Sequence, residues 1–279
     1  MAKRRITFIA LLLVATFLRL PDAAPTITSF TASTGGSANF TGNSSKFLQV
    51  TNNSLNIGNS SFTISWWQKS IDIQNNFPRI LQFGHGRPYS DQFAISEERD
   101  GNIYLWINGI NISSMPNPSP ENSGWNHIAI TFDTSRNNIY SWFLNGVFVK
   151  SSSETTASFN TLGLDLLIGS GDYAGDGGFS GNLAGVQISQ SVRWNTSSSF
   201  TPPTDFQNVG AGLAFSMYVN ETDVVDKSGN NLVVVPIVTS YGELAADFNP
   251  PTPDPTPDPT PDPTPDPTPD PTPDPTPDP

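Results

Sequence analysis

Between residues 62 and 188 apolar and polar side chains alternate in short runs, and no stretch of a dozen residues keeps the 3.6-residue spacing of a helix. Phe62-Thr-Ile-Ser-Trp-Trp-Gln-Lys69, Gln92-Phe-Ala-Ile-Ser96, Asn102-Ile-Tyr-Leu-Trp-Ile107, His127-Ile-Ala-Ile-Thr-Phe132 and Asn138-Ile-Tyr-Ser-Trp-Phe-Leu144 carry the pattern. Leu164-Asp-Leu-Leu-Ile168 and Leu183-Ala-Gly-Val-Gln-Ile188 extend it. A period of two places alternate side chains on opposite faces of a strand, so each run has one face to bury. Asn108-Gly109 and Asn145-Gly146 fall between such runs, and Asn-Gly tolerates the positive φ angles of a two-residue hairpin turn. Many short strands separated by turn residues predict an all-β fold, an antiparallel two-sheet jelly-roll sandwich.

The two ends read differently. Lys3, Arg4 and Arg5 precede an apolar run, Ile6–Leu18, and then Pro21-Asp22-Ala23-Ala24. This is the layout of a signal peptide over 1–24, with an uncleaved anchor as the alternative; the run is shorter than the ~20 residues a membrane-crossing helix needs. Residues 251–279 repeat Pro-Thr-Pro-Asp and hold 15 of the 26 prolines. With every second backbone N–H missing and no larger apolar side chain to bury, the 250–279 tail is expected to be a disordered polyproline II-like spacer, on the order of 90 Å long. The organisation expected is therefore a leader (1–24), a sandwich (25–209), additional strands packed on it (210–249, including Leu213–Tyr218 and Asn231–Val238) and the tail.

Composition narrows the chemistry. The chain of 279 residues carries a formal charge of −12, of which the tail supplies seven aspartates. An acidic body argues against nucleic acid as a partner. The absence of cysteine excludes a disulfide framework, a thiolate zinc site and a cysteine nucleophile, and two histidines, His85 and His127, cannot make a three-histidine metal site. His127 is expected to be a packed strand histidine and His85 an exposed loop residue. Beyond the N-terminal segment nothing is long and apolar enough to span a membrane.

Taken in order, further pieces resemble one family. They are Phe40-Thr-Gly42 with Phe47-Leu-Gln-Val50, Phe62-Thr-Ile-Ser-Trp-Trp67, Gly124-Trp-Asn-His-Ile-Ala129, Ile139–Gly146, Leu167-Ile-Gly169 and Phe179-Ser-Gly-Asn-Leu183, ending at Thr201-Pro-Pro-Thr204. The set resembles the laminin G-like/concanavalin A-like jelly roll in its pentraxin-related form, over about residues 38–206. Two positions depart from that pattern: Gly185 stands where the closing strand commonly carries an acidic residue, and Asn145 where the hairpin commonly carries aspartate. The resemblance implies a secreted or surface-exposed, non-catalytic module that binds a glycan or cell-surface polysaccharide. The same fold also serves in structural extracellular or virion-surface proteins that bind other proteins, and Pro-Thr/Asp repeats beside such domains resemble a stalk.

Candidate ligand contacts follow from the aromatics. Adjacent Trp66 and Trp67 must point to opposite faces, so one belongs to the core and the other to the outer surface or a covering loop. Tyr140 and Trp142 share a face, as do Tyr104 and Trp106, and outward-facing rings can stack on the C–H face of a sugar. Trp66, Trp67, Trp106, Tyr140, Trp142 and Tyr173 are the glycan candidates, and no catalytic residue is assigned. In the Gly-rich loop 169–178, Asp172 and Asp176 are four residues apart; with Asp91 they form the candidate calcium ligands, calcium being a cation that takes six to eight oxygens. Asn39, Asn43, Asn52, Asn59, Asn111, Asn195 and Asn220 lie in Asn-x-Ser/Thr sequons and are candidate glycosylation sites. Six glutamates occur, none in the Glu-x-Asp-x-x-Glu spacing of concanavalin-like glucanases, and no serine-nucleophile or phosphate-loop motif is present, which disfavours a polysaccharide hydrolase or lyase.

Overall fold

The computed structural model of the chain describes residues 36–51, 55–58, 60–71, 73, 77–84, 93–118, 124–153, 159–170, 177–207, 209, 211–220, 223–237 and 240–242. Within them lie sixteen strands and one turn of 3₁₀ helix at Thr134–Arg136. In chain order the strands are β1 (Ser37–Thr41), β2 (Phe47–Thr51), β3 (Phe62–Ser70), β4 (Arg79–Phe83), β5 (Phe93–Glu97), β6 (Asn102–Ile107), β7 (Ile110–Pro116) and β8 (Asn126–Asp133). There follow β9 (Ile139–Leu144), β10 (Val147–Ser153), β11 (Leu166–Ile168), β12 (Ser180–Ser189), β13 (Phe215–Val219), β14 (Val224–Asp226), β15 (Val233–Ile237) and β16 (Ser240–Gly242).

The strands form two antiparallel sheets. The first runs β10-β9-β8-β3-β12-β1-β16, with β13 paired to β12 and β14 to β13; the second runs β15-β2-β11-β4-β5-β6-β7. Consecutive hairpins (β6–β7, β8–β9, β9–β10) sit beside long-range pairings such as β3 with β12, the order that a jelly roll requires. Both Asn-Gly pairs close hairpins as the sequence predicts: Asn108 and Gly109 have φ of 49° and 73°, Asn145 and Gly146 of 50° and 83°. The piece after residue 209 contributes to both sheets, β13 beside Gln187 and Ile188 of β12 and β15 beside β2.

The core lies between the sheets. Phe62, Ile64 and Trp66 of β3, Tyr140 and Trp142 of β9, and Phe83, Phe93, Ile95, Ile103 and Leu105 of the opposite sheet are buried there together. Phe62 meets Phe93 edge-on at 5.8 Å, and Phe93 stacks on Phe159 at 5.8 Å. At one end of this core, Glu97 Oε1 accepts hydrogen bonds from Gln68 Nε2 (2.7 Å), Asn117 Nδ2 (2.8 Å) and Ser70 Oγ (2.5 Å), and Trp66 Nε1 donates to Gln68 Oε1. Burial outweighs these bonds and raises the Glu97 carboxyl to a pKa of about 7.

The outer face of the first sheet is itself covered. Residues 190–207 cross it as a strap, and Phe206 of the strap packs with Trp67, Trp125, Ala184 and Tyr218 in a second buried cluster. Trp67 Nε1 donates to Pro203 O (2.8 Å), Phe200 N to Gly146 O (3.0 Å) and Arg193 N to Thr63 Oγ1 (3.0 Å), which pins the strap at three places. Here the departure at Gly185 finds its reason. The residue sits at a break in the β12 register with φ of 53°, and a Cβ built there would lie 2.2 Å from the Phe206 ring. No acidic side chain fits under the strap. The side chain of Asn145 is likewise engaged at the hairpin, where Oδ1 accepts from His127 N at 2.8 Å while Nδ2 donates to Asn126 Oδ1.

Candidate functional site: an aromatic groove on the second sheet

The second sheet leaves part of its outer face open. Alternation along β6 sends Ile103, Leu105 and Ile107 into the core and leaves Tyr104 and Trp106 half-buried on the other side. With Phe77, Glu98, Arg99, Asp100 and Asn111 these two rings line a groove of about 390 Å³. The Glu98–Gly101 turn between β5 and β6 supplies one wall, closed by Gly101 N donating to Glu98 O (3.0 Å). Phe77, in the segment before β4, supplies the other, and Asn111 projects from β7 opposite Trp106.

The rings are held in place. Trp106 Nε1 donates to Ser96 Oγ (2.8 Å), which donates onward to Glu98 Oε1 (2.8 Å), so the indole edge is fixed and its face left available. Tyr104 lies 5.9 Å from Trp106 at an interplanar angle of 34°, and Phe77 meets Trp106 edge-on at 6.2 Å. Phe77 is 43% exposed and adopts φ of 51°. A bulky residue in the left-handed region costs about 1–3 kcal/mol, a strain that gathers at functional positions. The Arg79 guanidinium lies 6.0 Å from the Phe77 ring centre.

The electrostatics suit recognition of hydroxyl groups. The Tyr104 hydroxyl donates to Asp100 Oδ2, and this bond is the main cause holding the Asp100 carboxyl below its ordinary value and the Tyr104 phenol above its own. Asp100 is therefore an anionic acceptor and Tyr104 a neutral ring at neutral pH. The carboxyl raised towards neutrality, Glu97, is fully buried between the sheets and faces away from the groove.

Of the aromatic residues singled out in the sequence, Trp106 lines the groove and four others do not. Trp66, Trp67 and Trp142 are fully buried and Tyr140 nearly so. This corrects their assignment as ligand contacts. Trp66, Tyr140 and Trp142 fill the inter-sheet core, where Trp142 Nε1 donates to Ser113 Oγ across the sheets (2.9 Å), and Trp67 faces outward but lies beneath the strap. Tyr173, Asp91, Asp172, Asp176, Asn52, Asn59 and His85 lie outside the described residues, as do the leader and the tail. Among the described residues no cluster of three or more metal-ligating side chains occurs.

His127 is fully buried against Trp67 (5.2 Å), Trp194 (5.9 Å) and Phe200 (5.8 Å), and burial, aided by the Arg193 charge, lowers its pKa to about 3.

Sequence reasoning missed Phe77, Glu98, Arg99, Asp100 and Asn111 as groove residues and left Tyr104 out of the candidates. For Tyr104 the signal was present, since it shares a strand face with Trp106. Phe77 carries none in the sequence beyond an aromatic in a polar, proline-containing segment.

Comparison with known proteins places this geometry in context. Residues 40–196 match a laminin G-type family model described as the concanavalin A-like lectin/glucanases superfamily. Comparison with curated proteins finds no match. Among solved structures, a heptameric pentraxin from Limulus polyphemus is similar at 13% identity and a TM-score of 0.45, covering 73% of this chain and 94% of its own. A protein from Bacteroides ovatus described as a candidate carbohydrate-binding protein is similar at 17% identity and a TM-score of 0.48, over 74% of this chain and 62% of that one. The CBM40 module of the Ruminococcus gnavus IT-sialidase, in complex with α2,3-sialyllactose, is similar at 19% identity and a TM-score of 0.40, over 48% and 78%.

Proposed function

Because the chain belongs to the concanavalin A-like lectin/glucanases superfamily, we propose that it is a non-catalytic carbohydrate-binding module and that the Phe77/Tyr104/Trp106 groove is its binding surface. The observation that carries the reading is the strained, exposed Phe77 set edge-on to a half-open Trp106 whose indole edge is already hydrogen-bonded. A sugar ring stacks through its C–H face on such a surface, and Glu98, Asp100 and Asn111 are placed to bond its hydroxyl groups. Two carboxylates against one guanidinium favour neutral over acidic sugars. Asp100, held below its ordinary value by the Tyr104 hydroxyl, is anionic and suits accepting a sugar hydroxyl better than acting as a general acid, which supports binding without hydrolysis.

The wider setting belongs to the same proposal: export by the 1–24 leader, and display of the sandwich on the Pro-Thr-Pro-Asp tail as a stalk. Calcium held by Asp91, Asp172 and Asp176 is a separable part of it, expected to raise the melting temperature because a cation bound only by the native state stabilises that state. The test of the central claim is a glycan array with the full chain produced without N-glycans in a bacterial cytoplasm, repeated with Trp106→Ala and Phe77→Ala. Retention of a neutral glycan, lost in both variants with the melting temperature held, is the expected result. A blank array with and without calcium overturns it. A second reading, a surface protein that pairs with other proteins, draws on the edge strand β10, where Val147, Phe148 and Val149 are exposed. It gains if the chain is recovered in a particle or envelope fraction and shows no sugar affinity.

A further inference from the structure

One wall of the groove is a sequon. Asn111-Ile112-Ser113 lies on β7, and Asn111 is exposed, opposed in register to Trp106 and part of the same groove lining. Opposed residues on paired strands carry their Cβ atoms about 5 Å apart on one face. A sugar attached to Asn111 Nδ2 therefore starts within reach of the Trp106 ring. The other described sequons differ. Asn43 and Asn195 each accept from the serine two residues on, Asn220 accepts from Asp223 N, and Asn39 is half-buried within β1. None of them lines the groove. The Asn111 side chain is exposed on its strand, which leaves room for a substituent.

We propose that Asn111 is an N-glycosylation site whose own glycan lays its first sugar over Trp106 and closes the groove, so that the unglycosylated chain is the form open to external sugars. The inference rests on the groove being the binding surface described above. It also fixes when the choice is made. In the folded protein Ser113 is sealed, its Oγ accepting from Trp142 Nε1 (2.9 Å) and from Ser152 Oγ (2.8 Å), and β7 is paired with β6. Attachment must precede strand pairing, so the groove is set open or closed at synthesis and not switched afterwards.

The test uses the full chain made in two ways, exported by a glycosylating cell and produced in a bacterial cytoplasm. Peptide mass spectrometry reads occupancy at Asn111, and hydroxyl-radical footprinting reads the accessibility of Trp106, with half-buried Trp194 as the internal control. The expected result is an occupied Asn111 and a several-fold fall in Trp106 oxidation with Trp194 unchanged. Trimming the glycan to its first sugar should keep the protection; Asn111→Gln, or complete enzymatic removal of the glycan from the native protein, should abolish it. An unoccupied Asn111, or an occupied one with Trp106 oxidation unchanged, overturns the proposal. Footprinting needs no external ligand, so its outcome is separable from the array: protection of Trp106 together with a blank array for the bacterial protein keeps the modification and removes the groove as a reader of external sugars.

Discussion

The outer faces of the two sheets are built from the same kinds of residue and end in opposite states. On the first sheet Trp67, His127 and Phe143 point outward and are then covered by Trp194, Phe200 and Phe206 of the strap, with Trp194 stacked on Phe200 at 4.0 Å. On the second, Tyr104 and Trp106 point outward and stay half open beside exposed Phe77. An outward aromatic is thus not a binding residue by virtue of its direction. What separates the two faces is whether a segment of the same chain has already taken the surface a ligand would use.

The sharpest way to break this contrast is a matched pair of alanine variants. Trp67→Ala should cost about 3–5 kcal/mol of stability, as for a fully buried aromatic, whereas Trp106→Ala should cost about 1 kcal/mol or less and remove sugar binding instead. Urea unfolding alongside the array checks both; equal destabilisation would make Trp106 core and erase the distinction. Next comes Gly185→Ala. The added methyl meets the Phe206 ring at a φ of 53°, so about 1–3 kcal/mol should be lost and Trp67 fluorescence should shift as the strap lifts, with groove binding intact.

Acidity sharpens the covered side further. His127 has a folded pKa of about 3 against 6.5 when unfolded, so the unfolded state binds more protons between those values. Its contribution is fully present above 6.5 and declines as the pH falls towards 3. Glu97 has the opposite sense: its folded pKa of about 7 exceeds 4.5, so its contribution is full below 4.5 and declines as the pH rises through 7. Stability measured by urea across pH should therefore fall on both sides. His127→Phe should flatten the acid limb and Glu97→Gln the alkaline one; a variant that leaves its limb unchanged removes the assignment. The smallest effect belongs to the open face. Asp100 is held below its ordinary 3.8, so its own protonation should leave sugar binding unchanged above that value, and a titration of binding near neutrality would point to another group.

Much of the architecture could be read from residue order. Alternation in Phe62–Lys69 and Asn102–Ile107 names the strands, and Asn108-Gly109 and Asn145-Gly146 name two hairpins, because backbone conformation there is set by neighbours in sequence. The opposite headings of Trp66 and Trp67, and the shared face of Tyr140 and Trp142, follow from the same period. The candidate site was less legible. Tyr140 and Trp142 have an outward-looking alternation as credible as that of Tyr104 and Trp106, and only pairing and layering assign the first pair to the core.

Local periodicity, then, settled strand identity, turn positions and the all-β class, since each depends on a few adjacent residues. Tertiary structure decided which aromatic faces are hidden. Burial of an outward face depends on a partner distant in sequence, here residues 190–207 for Trp67 and His127, and for Trp106 on the meeting of Phe77, the 98–101 turn and Asn111 from three separate segments. No short-range pattern encodes that meeting, because the contacts form only when the two sheets have closed.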